Sequence, residues 1–303
     1  MASHPENTEA ASASGTTVNR IDRCFQHLRA RGRKALMPFL TAGHPLAEAT
    51  VPVMHGLVAG GADLIELGVP FSDPMADGPV IQKASELAIG RGVTLATVLD
   101  YVRRFRVDDP VTPVVLMGYL NPVEIMGRQR FVEQAAQSGV DGLLLVDAPL
   151  EESAPLQALC GEHGLHQILL AAPTTTGERR QRLADQARGF LYYVAYAGVT
   201  GGGALDVAEV ATQVAHWQAL GPTPVAVGFG VKDAASAQAI GRVADAVIVG
   251  SALIEHLAGC ADADTAAVDA RDFLRPLRAA LDADIALEDR SGVPEKPAGN
   301  DGS

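Results

Sequence analysis

Of the four carboxylates in the stretch GADLIELGVPFSDPMADGPVIQKA, three are the first candidates for chemistry: Glu66, Asp73 and Asp77. Glu66 lies inside an apolar run between Ile65 and Leu67, and the two-residue alternation of a strand puts it on one face with Leu64. If both faces of that strand are covered, the carboxylate sits in an apolar setting whichever way it points. Burying it ionised and unpaired costs roughly several kcal/mol, so it must keep its proton to higher pH or find a partner. A group so placed suits proton transfer, the alternative being an acid kept only for structure. Pro70, Pro74 and Pro79 stiffen the following loop, which suits holding a carboxylate in one orientation. Asp73 or Asp77 alone reads as a cap for a turn or for the helix starting near Pro79. With Glu66 just upstream they form a candidate set for acid–base work.

A second constellation is made of glycines: AGVTGGG (197–203), GFG (228–230) and GSA (250–252), each at the end of a strand-like run. Glycine lets backbone N–H groups approach an anion closely, and a helix N-terminus adds a favourable dipole. GSALIEHL puts Gly250 and Ser251 at the start of a short helix. One such glycine serves a tight turn; three on adjacent loops point to phosphate. GVTGGG also has the composition of a closing lid.

Other chemistries lack their residues. A Schiff-base aldolase needs a lysine at the C-terminal end of a strand. Lys34 precedes the first strand, Lys83 sits in a helical stretch, and Lys296 falls near the end of the chain. Lys232 alone is near the right place, and it leads directly into a helix start. His44 is the one histidine near a strand end and reads as a turn residue, so no metal is expected. Cys24, Cys160 and Cys260 are widely spaced and odd in number, so neither a disulfide framework nor a CxxC site is expected, and a reducing cytoplasm is.

The elements that must position these groups alternate regularly. Apolar runs at 35–43, 62–68, 112–119, 141–148, 166–173, 190–198, 223–230 and 244–251 are each followed by a turn and a stretch that can be helical. Near-continuous apolar strands imply burial on both faces, as in a parallel sheet covered by helices. Eight such units predict a single (β/α)8 TIM barrel, of α/β class, with the chemistry where strands end and loops begin. RIDRCFQHLRARG (20–32) reads as an extra N-terminal helix closing the barrel bottom. The barrel is expected over 18–286, with polar tails at 1–17 and 287–303, and no signal peptide. The 303 residues are 48% hydrophobic and 20% charged, with no apolar run of membrane-spanning length. A net charge of −12 argues against nucleic acid but not against a phosphate held by backbone N–H groups.

The run IELGVPFSDPMADGPVIQ resembles the signature segment of tryptophan synthase α subunits. The similarity extends over roughly 20–285 through PFLTAGHP, LMGYLNP, YVAYAGVTGG, VAVGFGV and VIVGSALI. The resemblance implies retro-aldol cleavage of indole-3-glycerol phosphate to indole and glyceraldehyde 3-phosphate. Carried over by motif, Glu66 matches the proton-transferring glutamate and Asp77 the aspartate that binds the indole N–H. Phe39, Leu170 and Tyr192 match indole-pocket positions, while Gly201, Gly230, Gly250 and Ser251 match phosphate contacts. Thr200 matches the lid threonine that reaches the loop aspartate. The resemblance also implies a β subunit as partner in an α2β2 complex, docked through the PFSDPMADGP and LMGYLNP regions. Pyridoxal phosphate would belong to that subunit, this chain needing no cofactor. The residues leave open a stand-alone indole-releasing lyase, a silent barrel that only activates a β subunit, and a different phosphosugar barrel.

Overall fold

Strands this uniformly apolar have nowhere to go but between a core and a coat of helices, and that is where the chain puts them. The computed structural model describes residues 18–195, 206–228 and 230–291, with side chains to residue 283. The tail expected at 1–17 lies outside these residues, as does the part of the C-terminal tail beyond Ser291. The strands are β1 (Ala35–Thr41), β2 (Ile65–Gly68), β3 (Val114–Gly118), β4 (Gly142–Leu145), β5 (His166–Ala171), β6 (Leu191–Val194), β7 (Val225–Gly228) and β8 (Ala246–Val249). They run parallel and close in sequence order, with β1 pairing β2 at Phe39↔Glu66 and β8 at Ala35↔Ala246. The (β/α)8 barrel expected from the alternation is the one observed.

The helices are α1 (Arg20–Ala30), α2 (Thr50–Ala59), α3 (Pro79–Gly90), α4 (Leu95–Asp108), α5 (Leu120–Met126) and α6 (Arg128–Ser138). After them come α7 (Leu150–Glu162), α8 (Gly177–Gln186), α9 (Val207–Gln218), α10 (Ala234–Gly241), α11 (Ser251–Leu257) and α12 (Ala263–Ser291). The last helix carries the chain past residue 286, where the body was expected to end. The ladders are shorter than the apolar runs that announced them, because hydrophobicity reports burial rather than pairing. Leu64, for example, is fully buried yet precedes the first paired residue of β2.

The extra helix closes the bottom of the barrel. Ile21, Phe25 and Leu28, at helical spacing on one face of α1, join the inward side chains of the strands, among them Met37, Leu64, Val115, Ile168 and Phe190. The Phe25 and Phe190 rings lie 5.9 Å apart. Polar bonds hold the plug: Asn19 caps α1, and its side-chain amide donates to the Asp141 and Gly164 carbonyls. The buried Asp141 carboxylate accepts from Arg20 at 2.9 Å, Arg106 at 2.7 Å and the Val114 N–H at 2.8 Å. Across the bottom, Arg278 of α12 donates to the Lys34 carbonyl, Asp63 and Asp282. Ile21→Ala is expected to lower unfolding free energy by about 3 kcal/mol, read as a lower midpoint in denaturant, because it opens a hole in a fully buried layer. With the bottom sealed, the barrel interior opens, among the described residues, at the strands' C-terminal end.

Candidate active site

Inward positions climb each strand in steps of two, so on β2 Leu64 lies below Glu66 and Gly68 above it. Glu66 is 1% exposed, and neither carboxylate oxygen has a hydrogen-bond partner among the described residues. Burial pushes its pKa up to about 8, and the nearby Asp77 charge adds to the rise. An acid that keeps its proton at neutral pH, with no structural bond to make, fits proton transfer better than packing.

Asp77 comes down to the same place from the loop between β2 and α3. Its N–H donates to the Pro74 carbonyl at 3.3 Å, and Gln82 of α3 donates to the Asp77 carbonyl at 2.8 Å. Tyr119, just past β3, is the other anchor: its hydroxyl accepts the Ala76 N–H at 3.0 Å and bonds the Asp77 carboxylate. Phe71 stacks on the Tyr119 ring at 4.9 Å. Burial raises the Asp77 pKa, while the Tyr119 bond offsets part of the rise. The Tyr119 hydroxyl is itself pushed up to about 12, by burial first and by the Asp77 charge, so it stays a donor. Asp73 takes no part; it is exposed and bonded to Ser72, which makes it a turn residue.

Above the layer that holds Glu66 a cavity of about 1200 Å³ opens toward solvent, with Asp77 in its wall but Glu66 not among its lining residues. Its lower part is apolar: Phe39, Leu170 and Tyr192 line it as the sequence suggested, together with Met117, Leu144 and Ile248. Two glycines make room for the aromatic rings. A Cβ on Gly68 would lie 2.5 Å from Phe39 Cζ, and one on Gly228 would lie 2.5 Å from the Tyr192 hydroxyl oxygen. Gly230, Gly250 and Ser251 line the same cavity, Gly250 close beside Phe39, and no side chain caps α11. Thr200 and Gly201 lie outside the described residues.

Sequence reasoning passed over Tyr119, Gln82 and Met117. Tyr119 had a signal, an aromatic hydroxyl one residue beyond a strand in LMGYLNP; the reach of Gln82 back to the loop had none. His44 is the turn residue it was expected to be: buried, with Nε2 3.0 Å from the Ile254 carbonyl, tying the β1 end to α11. Among the described residues no group of three or more His, Cys, Asp or Glu could hold a metal ion, and no helix is long and apolar enough to cross a membrane.

Comparison with known proteins agrees with this geometry. The family model described as tryptophan synthase alpha chain matches residues 25–281. A tryptophan synthase alpha chain of Xanthomonas euvesicatoria pv. vesicatoria (strain 85-10) is 56% identical over 266 residues, which cover 88% of this chain and 99% of that one. One from Xylella fastidiosa (strain M12) is 57% identical over 266 residues with the same coverage. The crystal structure of tryptophan synthase subunit alpha from Legionella pneumophila str. Paris superposes with a TM-score of 0.81 at 42% identity, covering 88% of this chain and 99% of that one. A match that runs from the plug helix into α12, with relatives spanned almost end to end, leaves one assignment: the chain belongs to the tryptophan synthase alpha chain family.

Proposed function

We propose that this chain cleaves indole-3-glycerol phosphate to indole and glyceraldehyde 3-phosphate, with Glu66 as the proton-transfer group and Asp77 as the fixed anion at the indole nitrogen. The observation that carries the reading is Glu66: a protonated, unpartnered acid below a cavity walled by apolar side chains and by Gly230 and Gly250. The indole ring lies among Phe39, Leu170 and Tyr192. The phosphate lies against Gly230, Gly250 and Ser251, where uncapped N–H groups at the start of α11 face the cavity. Thr200 and Gly201, which lie outside the described residues, are assigned to substrate binding by the family motif alone.

Cleavage then needs only proton movements. Glu66 gives its proton to indole C3, making an indolenine whose positive nitrogen is held by the Asp77 carboxylate. The Glu66 carboxylate next takes the proton of the hydroxyl on the adjoining side-chain carbon. The C–C bond breaks, its electron pair restores the ring double bond, and the nitrogen becomes neutral. The products together are isomeric with the substrate, so no water or cofactor of this chain's own is consumed.

The released indole passes to a β chain, which would carry the pyridoxal phosphate, in an α2β2 assembly. Exposed apolar side chains support such a contact: Met75, which lines the cavity from the β2–α3 loop, is 85% exposed, and Ile125 on α5, the helix following β3, is 79% exposed. The test is indole release by the purified chain, alone and with a β chain. Slow release that rises with the β chain supports the reading; fast release indifferent to it favours a stand-alone lyase, and no release in either mixture overturns it. Tyr119→Phe is expected to lower kcat/KM about tenfold, because it removes a donor from a carboxylate that must stay charged. Losing that bond raises the Asp77 pKa further, so the acid limb of the pH profile should move to higher pH.

A further inference from the structure

The phosphate of a phosphosugar carries about −1.5 to −2 charges near neutral pH, and this chain carries −12. Backbone N–H groups orient an anion but bring no net charge, so the long-range attraction must come from side chains. Two cations line the cavity, Arg179 and Lys232. Arg179 is already engaged: its guanidinium is paired with Glu151 of α7, which Arg182 also contacts at 3.3 Å. Lys232 is exposed, and no carboxylate among the described residues lies within ion-pair distance of it. It follows Gly230 and Val231 on the cavity wall, which Ser251, after the adjacent strand β8, also lines.

Its backbone is held, and its charge acts on the neighbouring Asp233 without forming an ion pair. The Lys232 N–H donates to Ser236 Oγ at 3.1 Å. Asp233, the neighbouring acid, is turned to its own helix, accepting from the Ser236 N–H at 2.8 Å and the Ser236 hydroxyl at 2.7 Å. Glu255 is the other acid on that part of the wall, on α11. A lysine anchored at its backbone N–H with an exposed side chain is suited to meeting an anion as it enters.

We infer that Lys232 is a substrate-binding residue, the side-chain cation that draws in and holds the phosphate of the substrate at the Gly230–Ser251 end of the cavity. The inference rests on the proposed phosphosugar cleavage for the identity of the substrate, though not for the phosphate chemistry. Lysine at this position answers for attraction and ground-state hold, so its loss falls on KM rather than on kcat.

The experiment compares wild type, Lys232→Gln and Lys232→Arg in the complex with a β chain. Lys232→Gln is expected to raise KM for indole-3-glycerol phosphate about tenfold and to weaken competitive inhibition by inorganic phosphate similarly. Lys232→Arg, which keeps the charge, should restore most of both. Added salt should depress kcat/KM of wild type more steeply than that of Lys232→Gln. Equal phosphate inhibition constants in wild type and Lys232→Gln overturn the inference, as does a loss confined to kcat or one that arginine fails to rescue. If wild type releases no indole at all, the cleavage reading fails instead, and phosphate binding measured by calorimetry on the same variants still decides the role of Lys232.

Discussion

Glu66→Gln is expected to cut indole release by about 10³–10⁴-fold, because one residue supplies both proton movements and general acid–base steps are each worth about 10²–10⁴. Glutamine keeps the shape and the polarity but can neither deliver a proton to C3 nor accept one from the hydroxyl. In wild type the acid form starts the reaction, so kcat should fall as pH rises through about 8, the value to which burial lifts this group. The same burial predicts a stability signature. The unfolded chain releases the proton near 4.5 and the folded chain near 8, so between these values the folded state binds more protons. Wild-type stability is therefore intact below 4.5 and declines across that window, at up to about 1.4 kcal/mol per pH unit. Glutamine does not titrate, so denaturation midpoints of variant and wild type should diverge in the variant's favour as pH rises, then run parallel above 8. A variant that still turns over, or midpoints with the same pH dependence in both proteins, would remove Glu66 from the centre of the reaction.

Asp77→Asn is expected to lower kcat by about 10²–10³-fold while changing KM little, the pattern for a group whose charge matters only as opposite charge develops. The ground-state indole N–H is a neutral donor, and an amide oxygen accepts it nearly as well as a carboxylate. The indolenine nitrogen is cationic, and there the full negative charge of Asp77, held in a partly buried site by the Tyr119 hydroxyl, acts at short range. Steady-state kinetics separates the cases. A large rise in KM with kcat preserved would make Asp77 a binding residue and leave the charge on nitrogen to some other group.

How much of this was legible beforehand follows from what each kind of residue reports. Alternating apolar runs report burial, and a chain with eight of them separated by helical stretches has few folds open to it. Glu66 stood out for the same reason, a charge where every neighbour was apolar. The apolar face of Ile21, Phe25 and Leu28 announced a helix that must cover something, and it covers the barrel bottom. Tyr119 and Gln82 were less visible because their roles depend on distance across the fold: one acts on a loop 43 residues earlier, and nothing local marks a tyrosine as the partner of a distant aspartate. Lys232 leads straight into a helix start, which does not suit a Schiff base. Its place beside Gly230 gives it a different task.

The closed barrel also constrains how the protein comes into being. Arg278 bonds the carbonyl of Lys34 from 244 residues further along the chain, and β1 meets its second neighbour only in β8. Synthesis at about 5–20 residues per second separates β1 from β8 by roughly 10–40 s. Throughout that interval β1 leaves the ribosome with one hydrogen-bonding edge bare, and bare edges recruit strands from other chains. The wait is shortest where translation runs fastest, so the pace of the ribosome, rather than the strength of any contact, sets how long each nascent molecule stays exposed to its neighbours.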